Sequence, residues 1–346
     1  MHALRFLAFD KVLKIAHEEY RTGRAAKLTA VDIANKLIDV KKSLLALKTS
    51  EEDTDSQMDD TNPANAGANT GLKARAGYFN ASRIYRLIGR PHADLFHQEK
   101  LIPPGVKLNI QLVPNRAPFL IKTAAPDEHA EQAQYKFIIV TARFLVQYRE
   151  VSPSMMIAHQ QTLSDTNYQM HHTKVTLKTQ TIPRGVRSFT VDNLYKGKLP
   201  DRVIAAMVRD DAFTGDYNRN PFNFQHFNLN YMAMNVNSQL VPRIPLEPNF
   251  TTNDYLREYM AQLEALMLDT GPYTWPITPE QWANGYNLYI FKLSPGPIGG
   301  LRSNQQTGDA RLELKFAQDT PHNITLILLA EEPATLEIDK FNHVLI

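Results

Sequence analysis

Apolar runs of two kinds set the frame of this chain. Val203, Ile204, Ala205, Ala206, Met207 and Val208 follow one another without a polar break. A run of that length between polar turn residues predicts a strand buried on both faces. Residues 324–329 read the same way, apolar except at Thr325. Ala310, Leu312, Leu314 and Phe316 instead alternate strictly with Arg311, Glu313 and Lys315. Period two with polar partners predicts a strand with one face in the core and one in water. Val106, Leu108, Ile110 and Leu112 alternate with Lys107, Asn109 and Gln111, which predicts a half-buried strand with even positions inward. Further strands are predicted within 137–146, 175–177, 189–191, 286–293 and 336–338. Residues 222–236 alternate in part, with Phe222, Phe224 and His226 on one side and Met232, Met234 and Val236 on one side further along.

Breakers separate these runs. Gly215, Asn218, Asn220 and Pro221 make 211–221 a loop after the 203–208 strand. Asn237-Ser238 is a hairpin-like break, and Pro242, Pro245 and Pro248 give an extended, non-helical crossing.

Helical spacing is confined. Leu4, Leu7, Ala8 and Ile15 form one stripe and Val31, Ala34, Leu37, Ile38 and Leu45 another, interrupted by Lys11 and Lys41. Residues 1–48 are therefore predicted to be a helical N-terminal extension, its second helix opened by Thr29 and Asp32. Residues 49–71 are acidic and then Asn/Ala/Gly-rich, a linker. A short helix is expected within 153–172. Residues 251–267 predict a helix capped by Thr251 or Asn253, with Leu256, Tyr259, Met260, Leu263, Leu266 and Met267 as its apolar stripe.

Composition narrows the function classes. With 346 residues the chain can bury a large core. It carries 38 basic and 36 acidic residues, a balance that argues against a protein whose main work is neutralising phosphates, and no specific nucleic-acid binding is expected. There is no cysteine, which excludes disulfides, thiolate chemistry and cysteine-based zinc sites. No run approaches the roughly 18 apolar residues of a membrane span, and the N-terminus lacks the features of a secretion signal. The Asn-x-Ser/Thr sites at Asn80, Asn249 and Asn323 are then read as coincidence.

Candidate chemistry is sparse. His92 and His97 are five apart and His171 and His172 adjacent, so neither pair would share a strand face as metal ligands do. Asp210-Asp211 reads as a polar turn ahead of an acid–base pair, and Glu51, Glu52, Asp53 and Asp55 as a solvated cluster. Arg83, Tyr85 and Arg86 read as a surface loop. Gly299-Gly300 has no phosphate-cradling helix after it, and no GxGxxG, P-loop or GxSxG pattern occurs. No catalytic, cofactor-binding or metal residue is assigned, and the chain is read as no enzyme.

The ordered series of strings carries a resemblance. It comprises HADLFHQEKL (92–101), REVSPSMMIAHQQTL (149–163), LPDRVIAAMVRDDAFTGDYNRNPFNF (199–224), VPRIPLEPNF (241–250), NGYNLYIFKLSP (284–295) and LELKFAQDTPHNITLILLAEEPATLEID (312–339). In this order they resemble the double jelly-roll major-capsid-like proteins of Polinton/Maverick elements and related adenovirus-like viruses, from about Met58 to the C-terminus. The resemblance implies an all-β chain of two tandem jelly-roll-like sandwiches, about 72–172 and 173–346, behind the helical extension. The first is expected to be incomplete, because in that family strands lie where residues 1–48 are predicted to be helical. It also implies a structural capsid subunit that forms homotrimers and packs against neighbouring subunits. That subunit would have no cofactor and no membrane contact, and would sit in a virion or in the nucleus or cytoplasm of a host cell. The alternative is a jelly-roll carbohydrate- or protein-binding module, with Trp275 and Trp282 as its sugar platform. A cupin-type enzyme is the further rival, and it would need clustered histidines with an acid on strands.

Overall fold

The structure, a computed structural model, describes residues 2–17 as backbone, and 58–59, 78, 83–89, 93–97, 100–122, 135–266, 277–294 and 306–345. The apolar runs of the C-terminal half become strands of one sandwich. Its strands are β4 (Tyr168–Ile182), β5 (Ser188–Lys198), β6 (Arg202–Arg209), β8 (Leu229–Val236), β9 (Gln239–Leu246), β11 (Leu288–Lys292), β12 (Thr307–Phe316) and β13 (Ile324–Ile338). One sheet has the order β11-β6-β13-β4 and the other β5-β12-β8-β9, antiparallel throughout. Along the chain these eight strands change sheet at every step except from β8 to β9. Eight antiparallel strands in two four-stranded sheets with this order make a jelly roll. Two short strands, β7 (Phe224–Gln225) and β10 (Asn284–Gly285), pair antiparallel beside it. A further two-residue strand, β14 (Val344–Leu345), extends the first sheet at the far end of β13.

Period two holds where it was expected. Ala310, Leu312, Leu314 and Phe316 are buried against Met232, Met234 and the inner side of β13, while Arg311 and Lys315 face water. In β13, Ile324 to Leu328 are buried in unbroken succession, as are Val203 to Val208 in β6. Both faces of that sheet are therefore covered at its middle.

The N-terminal region departs from expectation. His2–His17 is a strand, β1, not a helix. It lies between β2 (Ile84–Gly89) and β3 (Tyr135–Glu150), antiparallel to both. Its apolar residues fit either period, since Leu4, Phe6 and Ala8 also alternate. Register shifts at Phe6/Ala8 and Val12/Leu13 then break the alternation that a strand would show in sequence. Ladder partners far along the chain decide the matter, and these are invisible to local periodicity. The second expected helix lies outside the described residues, as does the linker except for Met58 and Asp59. Residues 106–112 are not a strand, and Leu108 and Leu112 are exposed. Alternation needs a neighbouring strand to become a ladder, and no described strand pairs with this one. The expected boundary at 172/173 falls inside β4, whose pairing with β13 runs unbroken from Tyr168 to Ile182.

Among the described residues two helices and three single α-helical turns decorate the sheets. They are α1 (Ala117–Leu120), α2 (Pro153–Asp165), α3 (Asp210–Thr214), α4 (Leu256–Ala265) and α5 (Pro279–Ala283). Helix α2 starts at Ser152, whose hydroxyl accepts from Met155 N–H, with Pro153 in the first turn. Helix α4 is shorter than predicted and rotated about its axis. Leu256 and Met260 are exposed, whereas Glu258, Tyr259, Gln262 and Ala265 are buried. Thr251 does not cap it, because the Asn249 side chain holds the amides of Thr251 and Thr252 in a separate turn.

Candidate assembly surfaces

The residues singled out for chemistry do structural work. Asp210 accepts from the Thr325 hydroxyl at 2.7 Å, tying the end of β6 to β13. Asp211 accepts from Ala212 N–H in its own helical turn and holds Arg209 and Arg219 at 2.6 and 3.1 Å. These contacts hold its carboxyl below the usual range against the opposing effect of burial. His171 meets Thr335 at 3.1 Å on one face of β4, and His172 lies on the other. His97 ends a short turn, Asp94–His97, and His92 lies outside the described residues. Among the described residues no three His, Asp or Glu side chains group as a metal site would. Arg83 is exposed and Arg86 faces water from β2, while Tyr85 packs beneath that sheet with Phe137 and Tyr217.

Trp282 is 1% exposed and its Nε1 donates to Leu288 O at 3.0 Å. It sits among Phe250, Tyr255, Tyr259 and Tyr289. A buried indole offers no platform to a sugar, so that part of the binding-module reading is corrected. Trp275 lies outside the described residues.

Buried polar groups that the sequence did not flag bind the layers together. Gln262 Oε1 accepts from Ile290 N–H at 2.5 Å, and its Nε2 donates to Glu258 O at 2.8 Å. Glu258 accepts from Glu247 N–H at 3.1 Å. Helix α4 thus closes the outer edge of β11 with a side chain in place of a strand. Lys122, 4% exposed, donates to Asp216 O at 2.5 Å. Burial pushes its ammonium down to about 8, against the pull of Asp216 and Asp59. No local sequence signal marks these residues, since each is defined by a partner distant along the chain.

What the molecule presents outward differs from face to face. The outer face of the β5 sheet is solvated by Arg311, Glu313, Asp192 and Lys315, paired loosely at 3.6–3.9 Å. Such pairs contribute little on a surface. The outer face of the other sheet is buried at Ile204, Ala206, Leu288, Ile290 and Ile327, yet opens along β4 at Val175 and Leu177. The N-terminal sheet exposes Ile84 and Ile88 on β2 and Ile138, Val140 and Leu145 on β3. Its other side packs through Phe144 and Val146 onto Ile102 and Met170, which joins it to the far ends of β4 and β13. Apolar side chains grouped on exposed faces are candidates for contact surfaces.

No family model matches the chain. It is 21% identical over 248 residues to the uncharacterized protein F54H12.2 of Caenorhabditis elegans, a match covering 66% of this chain and 54% of that protein. The chain thus spans about half the length of the curated relative it matches. Among solved structures it is similar to the Sputnik virophage structure, with 12% identity, coverage of 99% of this chain and 82% of that one, and a TM-score of 0.44. It is similar to the PBCV-1 virus capsid, with 9% identity, 100% and 90% coverage and a TM-score of 0.44. It is also similar to the mavirus major capsid protein, with 9% identity, 99% and 83% coverage and a TM-score of 0.37. The jelly-roll topology is set by the strand order of β4 to β13 itself, independently of these likenesses.

Proposed function

We propose that the chain is a structural, self-assembling subunit, a capsid protein of a virus or of a virus-derived mobile element. The observation that carries this reading is the complete jelly roll from β4 to β13, on which four of the six family-like strings fall, those at 92–101 and 149–163 lying ahead of it. String 199–224 forms β6 and α3, string 284–295 forms β10 and β11, and string 312–339 forms the second half of β12 and all of β13. The resemblance is thus carried mostly by the strands of the core and the turns between them, and otherwise by the Asp94–His97 turn and helix α2. Fold alone does not assign function. Here Asp210, Asp211 and His171 are engaged in structural contacts with neighbouring side chains and backbone, and the exposed faces are apolar in patches. Both favour a protein whose work is done by contact and without catalysis.

In this reading the subunits form homotrimers and pack against neighbouring subunits in a virion or a host-cell compartment, with no membrane insertion and no specific nucleic-acid binding. No described helix is long and apolar enough to cross a membrane. Electron microscopy of the purified full chain tests the proposal. Compact trimers of roughly hexagonal outline are expected. Isolated single subunits that bind a defined sugar on a glycan array would overturn it in favour of the binding module.

A further inference from the structure

The sandwich has four edge strands, and three of them are blocked. The amide of Ile290 on β11 is taken by Gln262 of α4. Strand β9 carries Pro242 and Pro245, which cannot donate to a ladder. Strand β5 is interrupted by a register shift around Asn193, whose φ is +50°. The fourth edge, β4, is different. Thr173 N–H donates outward to Asp94 at 2.8 Å, and Gln169 O accepts from Lys100 at 3.0 Å. The odd-numbered residues of β4 therefore turn their amides and carbonyls away from β13. Among the described residues nothing bonds to those of Val175, Leu177, Thr179 and Thr181. The side chains of Val175 and Leu177 are each 52% exposed at the same place.

We propose that this open edge is a docking site for β4 of a second copy of the chain, joined antiparallel across a two-fold axis at Leu177. The proposal goes beyond the capsid reading and does not depend on it. A two-fold interface must be self-complementary, and the sequence 174–180, KVTLKTQ, is so in this register. Leu177 meets its own copy, and Val175 meets Thr179 on the same outer face. Lys178 lies opposite Thr176, and Lys174 opposite Gln180. No like charges face each other, and the exposed apolar side chains are brought together. Shifting the axis to Lys178 would set that lysine, whose ammonium is held by Leu194 O, opposite its own copy and bring like charges near each other. Shifting it to Thr179 would place Val175 opposite Pro183, which cannot donate. The paired edges would join the two first sheets into one continuous sheet, eight long strands and the two short β14 strands, the geometry of strand addition.

The natural absence of cysteine makes the test direct. In the proposed register the two Leu177 Cα atoms lie about 5.5 Å apart, within disulfide range. Leu177→Cys in the full chain, oxidised with copper phenanthroline, is expected to give a covalent dimer on a non-reducing gel. Thr179→Cys, placed opposite Val175, is expected to give none, and neither is the control Arg311→Cys on the solvated sheet. Adding Thr179→Pro to Leu177→Cys removes an outward amide without touching the β13 ladder, and should lower the dimer to the control level. Val175→Lys, at an exposed position that leaves the core intact, should do the same, with circular dichroism and melting confirming the fold of each variant. Three results would each overturn the proposal: no dimer from Leu177→Cys, a dimer from Thr179→Cys in its place, or a Leu177→Cys dimer that survives both second substitutions.

Discussion

Arg202 on β6 and Glu331 on β13 are register partners, and they meet as an ion pair with Nη2 and Oε2 2.5 Å apart. Their side chains are 1% and 11% exposed. The pair lies on the outer face of its sheet, so that face is sealed over a charge pair as well as over Ile204 and Ile327. Arg202 Nε and Nη1 have no protein partner among the described residues. Removing one member of a buried pair strands the other charge in a poor dielectric. Glu331→Ala should therefore cost about 3–5 kcal/mol in urea unfolding. The double substitution Arg202→Met with Glu331→Leu should cost less than either single change, because no charge is left behind.

The two faces of β12 should respond very differently. Phe316 is 3% exposed in the sandwich core, and Phe316→Ala should cost about 3–5 kcal/mol. Arg311 faces water, and its carboxylate neighbours Asp192 and Glu313 are 3.9 Å away. Arg311→Ala should change stability by no more than about 0.5 kcal/mol. Chemical denaturation of both variants measures the contrast.

Gln262→Ala should leave Ile290 N–H buried without its acceptor, at about 1–3 kcal/mol. It should also unblock the edge of β11. Hydrogen exchange at Ile290 should accelerate in this variant by more than at Ala205, in the middle of the same sheet.

His226 gives the fold a dependence on pH. It stacks on Phe250 with ring centroids 3.8 Å apart, and its Nδ1 accepts from Asn228 N–H at 2.9 Å. Burial pushes the imidazole down to about 4 from its ordinary 6.5. Above pH 6.5 the ring is neutral in both folded and unfolded chains, and its contribution is constant. Between 6.5 and 4 the unfolded chain takes up a proton that the folded one refuses, so stability falls as pH falls. The loss should be about 1 kcal/mol per pH unit. Guanidinium midpoints at about pH 7 and about pH 5, on either side of the ordinary imidazole value, should show a smaller difference in His226→Phe than in the wild type.

The sandwich was largely legible in the sequence, because burial there follows the chain's own periodicity. The strict alternation at 310–316 and the unbroken apolar runs at 203–208 and 324–329 became one-sided and two-sided strands as read. Of the N-terminal sheet only β3 was legible, as the strand predicted within 137–146. Two register shifts scramble the alternation of β1, and its partner β3 begins only at Tyr135. Helix α4 was found but misaligned, because Glu258 and Gln262 are buried to satisfy backbone amides of other elements and not by hydrophobicity. The strand expected at 106–112 failed for want of a neighbour. Contact surfaces left no motif either, since they are assembled from residues such as Ile84, Ile138 and Leu177, which come from separate strands.

Whether this chain works by assembling with copies of itself is read out by sedimentation velocity of the purified full chain across a range of micromolar concentrations. A species at three times the 39.3 kDa protomer mass is expected, with larger associations as concentration rises. A single 39.3 kDa species at every concentration would contradict self-assembly.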